Sequence, residues 1–157
     1  FLKMNSLTDR QLIDALKEAS QAGVKIKMII RGICCILPGI EGKTDNIEVI
    51  SVVGRFLEHS RIFCFGTGEN MKMYIASADW MTRNTENRVE IAAPIYDQKI
   101  KNSIYDTLRI MWKDNLKARI LCSDGTYKKP EIKEGDELID CQNYLRHEYK
   151  VGRKIKL

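Results

Sequence analysis

Two periodicities alternate along the chain. Val24, Ile26, Met28 and Ile30 alternate with Lys25 and Lys27, the period of two of a strand, and the lysines read as facing solvent. Before them, Leu12, Ile13, Leu16 and Ala19 recur at helical spacing over about 8–22. Thr8 and Gln11 fit a capping box at the start of that helix, and Gly23 fits its end. Phe1 to Met4 reads as the tail of a further strand that turns at Asn5-Ser6. Residues 1–31 therefore form a strand–helix–strand unit, which takes a right-handed crossover.

Downstream, Arg31-Gly32 closes the strand, and ICCILPGIEGKTDN is a loop whose apolar start, Ile33 to Leu37, tucks under the domain. Ile47 to Val53 is the next strand. Two apolar runs follow, His59 to Phe65 and Lys72 to Asp79, joined by GTGEN. Gly66 and Gly68 there supply the backbone freedom for a hairpin. Trp80 to Glu86 reads as a short helix or turn, and Arg88 to Ile95 as a strand. Asp97 to Asn115 is a helix with an apolar stripe of Ile100, Ile104, Leu108 and Met111. Leu116 to Leu121 reads as a final edge strand before an Asp124-Gly125 turn. From Thr126 onward charged residues dominate. The expectation over 126–157 is a loosely attached polar tail with at most a short helix near 136–148. Alternating helices and strands around a hairpin give an α/β class, a single domain whose mixed sheet is flanked by helices.

Composition narrows the function. A chain of 157 residues with 44% hydrophobic and 30% charged residues buries a real core. A net charge of +5 favours anionic partners such as phosphate chains, nucleotides or nucleic acid. Five cysteines without a C-x-x-C spacing make neither a disulfide framework nor a zinc site. Reduced thiols and a cytoplasmic setting follow as expectations. No apolar run approaches the roughly 18 residues of a membrane span, and the first residues do not read as a signal peptide. The chain opens at Phe1 and reads as a piece of a longer protein.

The candidate chemistry sits around the hairpin. A period of two places His59 and Arg61 on one strand face, and Ser77 and Asp79 on one face of the next strand. Antiparallel pairing brings the His59 end near the Asp79 end, with Arg83 just beyond. Cationic donors beside an imidazole suit a phosphoryl group. Arg31 stands at the C-terminal end of a strand, the edge where open α/β sheets bind ligands, and offers a bidentate fork. The plainer alternatives are an exposed loop arginine for Arg31, and structural ion pairs of Arg61 or Arg83 with Asp79 or Glu86. Lys3 and Arg55 are weaker candidates. Trp80 and Phe56 read as packing, and His147 receives no role.

The strings RGICC, GRFLEHSRIF and SADWMTRN resemble the C-terminal region of bacterial polyphosphate kinase. The resemblance runs from KMNSLTD to the DGTY turn. More distantly, H-x-R followed by S-x-D resembles the H-x-K and G-S-x-N elements of the phospholipase D superfamily. It implies a phospholipase D-like half-domain over 1–125, followed by the polar tail 126–157. The implied function is reversible transfer of the terminal phosphate of ATP to a polyphosphate chain through a phosphohistidine. By the same resemblance that phosphohistidine, and the Mg2+-associated positions, belong to the preceding half of the catalytic region. Carried over by matching position, His59 would be the second, catalytic histidine, and Arg31 and His59 would contact nucleotide or phosphate. Arg61 and Arg83 would bind phosphate, with Ser77 and Asp79 in support. The implied partners are ATP or ADP, polyphosphate, the preceding part of the same chain, and further copies of the full-length chain. Arg61 stands where the superfamily has lysine, and Asp79 where it has asparagine. Both departures argue against a phospholipid or DNA hydrolase. A homodimeric phospholipase D-type phosphodiesterase or nuclease, and a non-catalytic basic module that binds polyanions, are the alternatives.

Overall fold

The computed structural model describes residues 1–150. Its strands are β1 (Leu2–Met4), β2 (Ile26–Ile30), β3 (Ile47–Val52), β4 (Arg61–Phe65), β5 (Lys72–Ala76), β6 (Ala92–Ile95), β7 (Ala118–Leu121) and β8 (Tyr127–Lys128). Its helices are α1 (Arg10–Gln21), α2 (Thr82–Asn87), α3 (Gln98–Trp112) and α4 (Cys141–Lys150). The strands form one mixed sheet in the order β6-β5-β4-β1-β2-β3-β7-β8. Strands β1, β2 and β3 are parallel, and every other pairing is antiparallel. The α/β class and mixed sheet expected from the pattern are those observed.

Helices cover both faces, because the central strands are apolar at both parities. Leu2, Met4, Ile26, Met28 and Ile30 pack with Ile13 and Leu16 of α1. Ile29, Ile62, Cys64 and Met73 face the other way, towards Leu108 and Met111 of α3 and Leu145 of α4. Of the two lysines expected to face solvent, only Lys25 is exposed. Lys25 is in solvent, but Lys27 is half-buried, with its ammonium 4.9 Å from the centre of the Trp112 ring.

The hairpin forms as expected. Arg61 pairs with Ala76 and Phe65 with Lys72, and a short 3-10 turn at Gly68–Asn70 joins the strands. Gly66 and Gly68 take φ of 78° and 59°, the region glycine enters without a Cβ clash. Strand β4 begins two residues later than expected, so His59 and Ser60 precede it rather than extend it. Strand β6 is shorter than expected, with Arg88 to Ile91 lying outside it.

Two further expectations are corrected. The cap of α1 is Asp9, not Thr8: its carboxylate accepts the Leu12 N–H at 3.0 Å and the Thr85 hydroxyl at 2.7 Å. A carboxylate has two oxygens and can cap the helix while tying down α2. The segment after Thr126 is not a loose tail. Strand β8 pairs outside β7 and takes the edge position expected of β7. Ile139, Cys141, Gln142 and Leu145 are buried, and α4 packs along α3. Asp114 locks this corner, accepting the N–H groups of Leu116, Lys117, Ala118 and Cys141. Positions 151–157 of the expected tail lie outside the described residues.

Candidate functional site

Four chain segments meet at one edge of the sheet. Parallel β1 and β2 end there at Met4 and Ile30, β5 ends there at Ala76, and antiparallel β4 starts there at Arg61. The loops that follow, Asn5 to Asp9, Arg31 to Cys35 and Ser77 to Met81, are laced together by Leu7. That residue is fully buried and bridges both Cys34 and Trp80 in parallel fashion. Its N–H donates to the Ile33 carbonyl at 2.9 Å, and its carbonyl accepts the Cys35 N–H at 2.9 Å. Thr8 and Asp9 both donate to the Trp80 carbonyl. The side chains at this edge therefore stand on fixed backbone.

A continuous polar chain runs along the edge. Arg61 grips Asp79 with two nitrogens, Nε to Oδ1 at 3.2 Å and Nη2 to Oδ2 at 3.0 Å. Asp79 Oδ1 also accepts the Asn5 N–H at 2.7 Å and the Asn5 amide at 3.3 Å. Arg31 Nε donates to Asn5 Oδ1 at 3.0 Å. At the other end, the two ring nitrogens of His59 each lie 3.1 Å from a terminal nitrogen of Arg61, and Nη1 of Arg61 donates to the His59 carbonyl. His59 is exposed, Arg31 and Arg61 are half-buried, and Asp79 is buried.

Burial by itself would raise the Asp79 carboxyl. The hydrogen bonds from Arg61 and Asn5, with the Arg61 charge, outweigh it and hold the group below the usual carboxylate range. Arg61 is thus committed to a structural ion pair, the plainer alternative for this residue, and still borders His59. The terminal nitrogens of Arg31 make no hydrogen bond among the described residues, which leaves that fork free for an anion.

Not every candidate joins the cluster. Ser77 does not meet Asp79: its hydroxyl donates to Glu90 and accepts the Ile91 N–H at 3.0 Å. Arg83 is exposed on α2 and makes no ion pair with Asp79 or Glu86 among the described residues. Two residues of consequence were underrated. Asn5 read as a turn residue, yet it links Arg31 to Asp79. Lys3 read as a weak ligand candidate, yet it is 2% exposed beneath the site. Its only sequence signal was a charge between Leu2 and Met4 in an apolar strand. Burial pulls the Lys3 amine below its ordinary value, against the opposing charge of Glu58.

Among the described residues no group of three or more His, Cys, Asp or Glu side chains is placed to hold a metal ion. A cavity of about 370 Å³ lies beside β3, β7 and the end of α3, lined by Ile47, Val49, Trp112 and Pro130 among others. None of Asn5, Arg31, His59, Arg61 or Asp79 lines it. No helix among the described residues is long and apolar enough to cross a membrane.

Known proteins carry the same segment. The family model for polyphosphate kinase C-terminal domain 2 matches residues 1–142. A polyphosphate kinase of Bacillus anthracis is 53% identical over 140 residues, covering 89% of this chain and 20% of the relative. One of Staphylococcus epidermidis is 46% identical over 156 residues, covering 99% and 21%. The crystal structure of polyphosphate kinase from Porphyromonas gingivalis superposes with a TM-score of 0.90 at 39% identity, covering 96% of this chain and 23% of that one. The chain spans about a fifth of the length of these relatives. With the match covering nearly its whole length and the fold shared, this chain belongs to the polyphosphate kinase C-terminal domain 2 family.

Proposed function

We infer that this chain is the C-terminal part of a polyphosphate kinase and supplies one side of its phosphoryl-transfer site. The observation that carries the reading is the unbroken chain from His59 through Arg61, Asp79 and Asn5 to Arg31 along the strand-end edge. The free Arg31 fork suits two oxygens of a phosphate. Arg61, with Asp79 behind it, fixes the His59 ring and leaves it facing solvent. An imidazole there can give a proton or hydrogen bond to the transferring group. Phosphoryl transfer asks the protein mainly for positioning and neutralisation of charge, which two arginines and a histidine provide. Arg83 is the outlying cation of this surface.

In this reading the whole enzyme moves the terminal phosphate of ATP reversibly onto polyphosphate through a phosphohistidine located outside these residues. Mg2+ and its ligands belong to that other part. The longer chain works as a cytoplasmic homo-oligomer.

The test is His59→Ala in the full-length chain. His59 is exposed and fills no core space, so thermal unfolding should hold steady. The transfer rate should fall roughly 10²–10⁴-fold, the usual loss for an acid–base group. An unchanged rate in a folded variant sinks the reading.

A further inference from the structure

Residues 54–60, which carry His59, have no regular secondary structure. Nor does apolar burial shape them: Phe56 is 44% and Leu57 69% exposed. Polar anchors hold them instead, from two sides. Gln142, near the start of α4, is buried and closes its amide on the main chain of Phe56. Its Oε1 accepts the Phe56 N–H at 2.9 Å, and its Nε2 donates to the Phe56 carbonyl at 2.8 Å. The same Nε2 lies 3.1 Å from Glu58 Oε1. Gly54 makes room for this amide, since a Cβ there would collide with Oε1 and Cδ of Gln142. From the sheet, Lys3 Nζ donates to the Ser60 hydroxyl at 2.8 Å and to the Ser60 carbonyl at 3.1 Å. It also lies 3.6 Å from Glu58 Oε2.

Both neighbours of His59 in sequence are thereby pinned, while its own side chain meets Arg61. A buried ammonium is a poor way to gain stability, because its desolvation offsets most of what the ion pair returns. An apolar side chain would fill the centre of the sheet at least as well. What Lys3 and Gln142 provide is direction: they fix where Glu58 and Ser60 lie, and so where His59 stands.

We propose that Lys3 and Gln142 are positioning residues for phosphoryl transfer, holding residues 54–60 so that His59 stays in register with the Arg61–Asp79 pair and Arg31. This rests on the reading of His59 given above. It also assigns a task in the reaction to α4, through Gln142.

The experiment uses the full-length chain and compares Gln142→Ala, Gly54→Ala and Lys3→Met, alone and combined with His59→Ala. Each single variant should lower kcat by about 10–100-fold, the loss expected from roughly an ångström of misplacement. KM for ATP should stay within about twofold, because the Arg31 fork is untouched. Thermal unfolding identifies variants that fold. Lys3→Met alters the central strand, so Gln142→Ala and Gly54→Ala, which leave it alone, carry the test if Lys3→Met does not fold. The decisive arm is the double variant. If the anchors act through His59, adding Gln142→Ala to His59→Ala lowers the residual rate no further. A further drop by the full factor of the single variant, or a kcat within about twofold of wild type for folded Gln142→Ala, overturns the proposal. An unchanged rate in His59→Ala alone instead removes the reading of the site, and this proposal with it.

Discussion

The Arg61–Asp79 pair shows how one contact does two jobs. It closes the start of β4 onto the loop after β5, and it supplies the surface against which His59 lies. The Arg61 and Asp79 side chains are only 13% and 9% exposed, so neither charge has much water to fall back on. Asp79→Asn should destabilise the protein by about 3 kcal/mol, since it strands a largely buried guanidinium. Denaturant unfolding at neutral pH reads this directly, and a change within experimental error would refute it. The pH dependence follows from the sign of the shift. The Asp79 carboxyl is held lower in the folded chain than in the unfolded one, where it titrates near about 3.9. Its contribution is therefore complete above that value and lost as pH falls through the folded-state value. Stability of the wild type should drop more steeply with acid below about pH 4 than that of Asp79→Asn, and parallel acid profiles would contradict this.

At the scale of elements, α4 and β8 matter more than their composition suggested. Deleting residues 126–157 from the longer chain removes Cys141 and Leu145 from the layer over α3, and with them the buried Ile139 and Gln142. Each large aliphatic side chain is worth about 1.5–3 kcal/mol of burial, a large share of a typical domain's stability. The deletion should sharply lower the denaturant midpoint of this domain, and an unchanged midpoint would show that α4 is dispensable. The hairpin was legible in the sequence because Gly66 and Gly68 separate two apolar runs that cannot continue through them. That Arg31, His59, Arg61 and Asp79 gather at one edge was legible because each lies within three residues of a strand end. Lys3 was not, because a period of two tells which face a residue takes but not what covers that face. The cover here is α3 and α4, and α4 hides its few apolar positions among charges. Asn5 was not legible either. Its partner Asp79 is 74 residues away, and a turn asparagine looks the same with or without such a partner.

Among the described residues the polar cluster carries its cations along one edge of the sheet, and the chain spans about a fifth of its relatives. An edge that offers cations on one side only can hold phosphate but cannot surround it. This segment alone should make no polyphosphate from ATP, measured as radiolabel incorporated into acid-insoluble product, and robust synthesis would refute that. The strand order has one more consequence. Leu2 to Met4 are the seam between two half-sheets, a β4-β5-β6 meander within residues 61–95 and a β2-β3-β7-β8 half. The meander pairs neighbours along the chain and closes short loops, whereas β1 reaches β4 across roughly sixty residues. Zipping from turn to turn can build the meander but cannot insert β1 between the halves. The hairpin then belongs to the folding nucleus, and the three residues at the centre of the sheet dock after the barrier is crossed. In stopped-flow kinetics Gly66→Ala should slow refolding, whereas Met4→Ala should chiefly speed unfolding. The reverse pattern would place the seam, not the hairpin, in the nucleus.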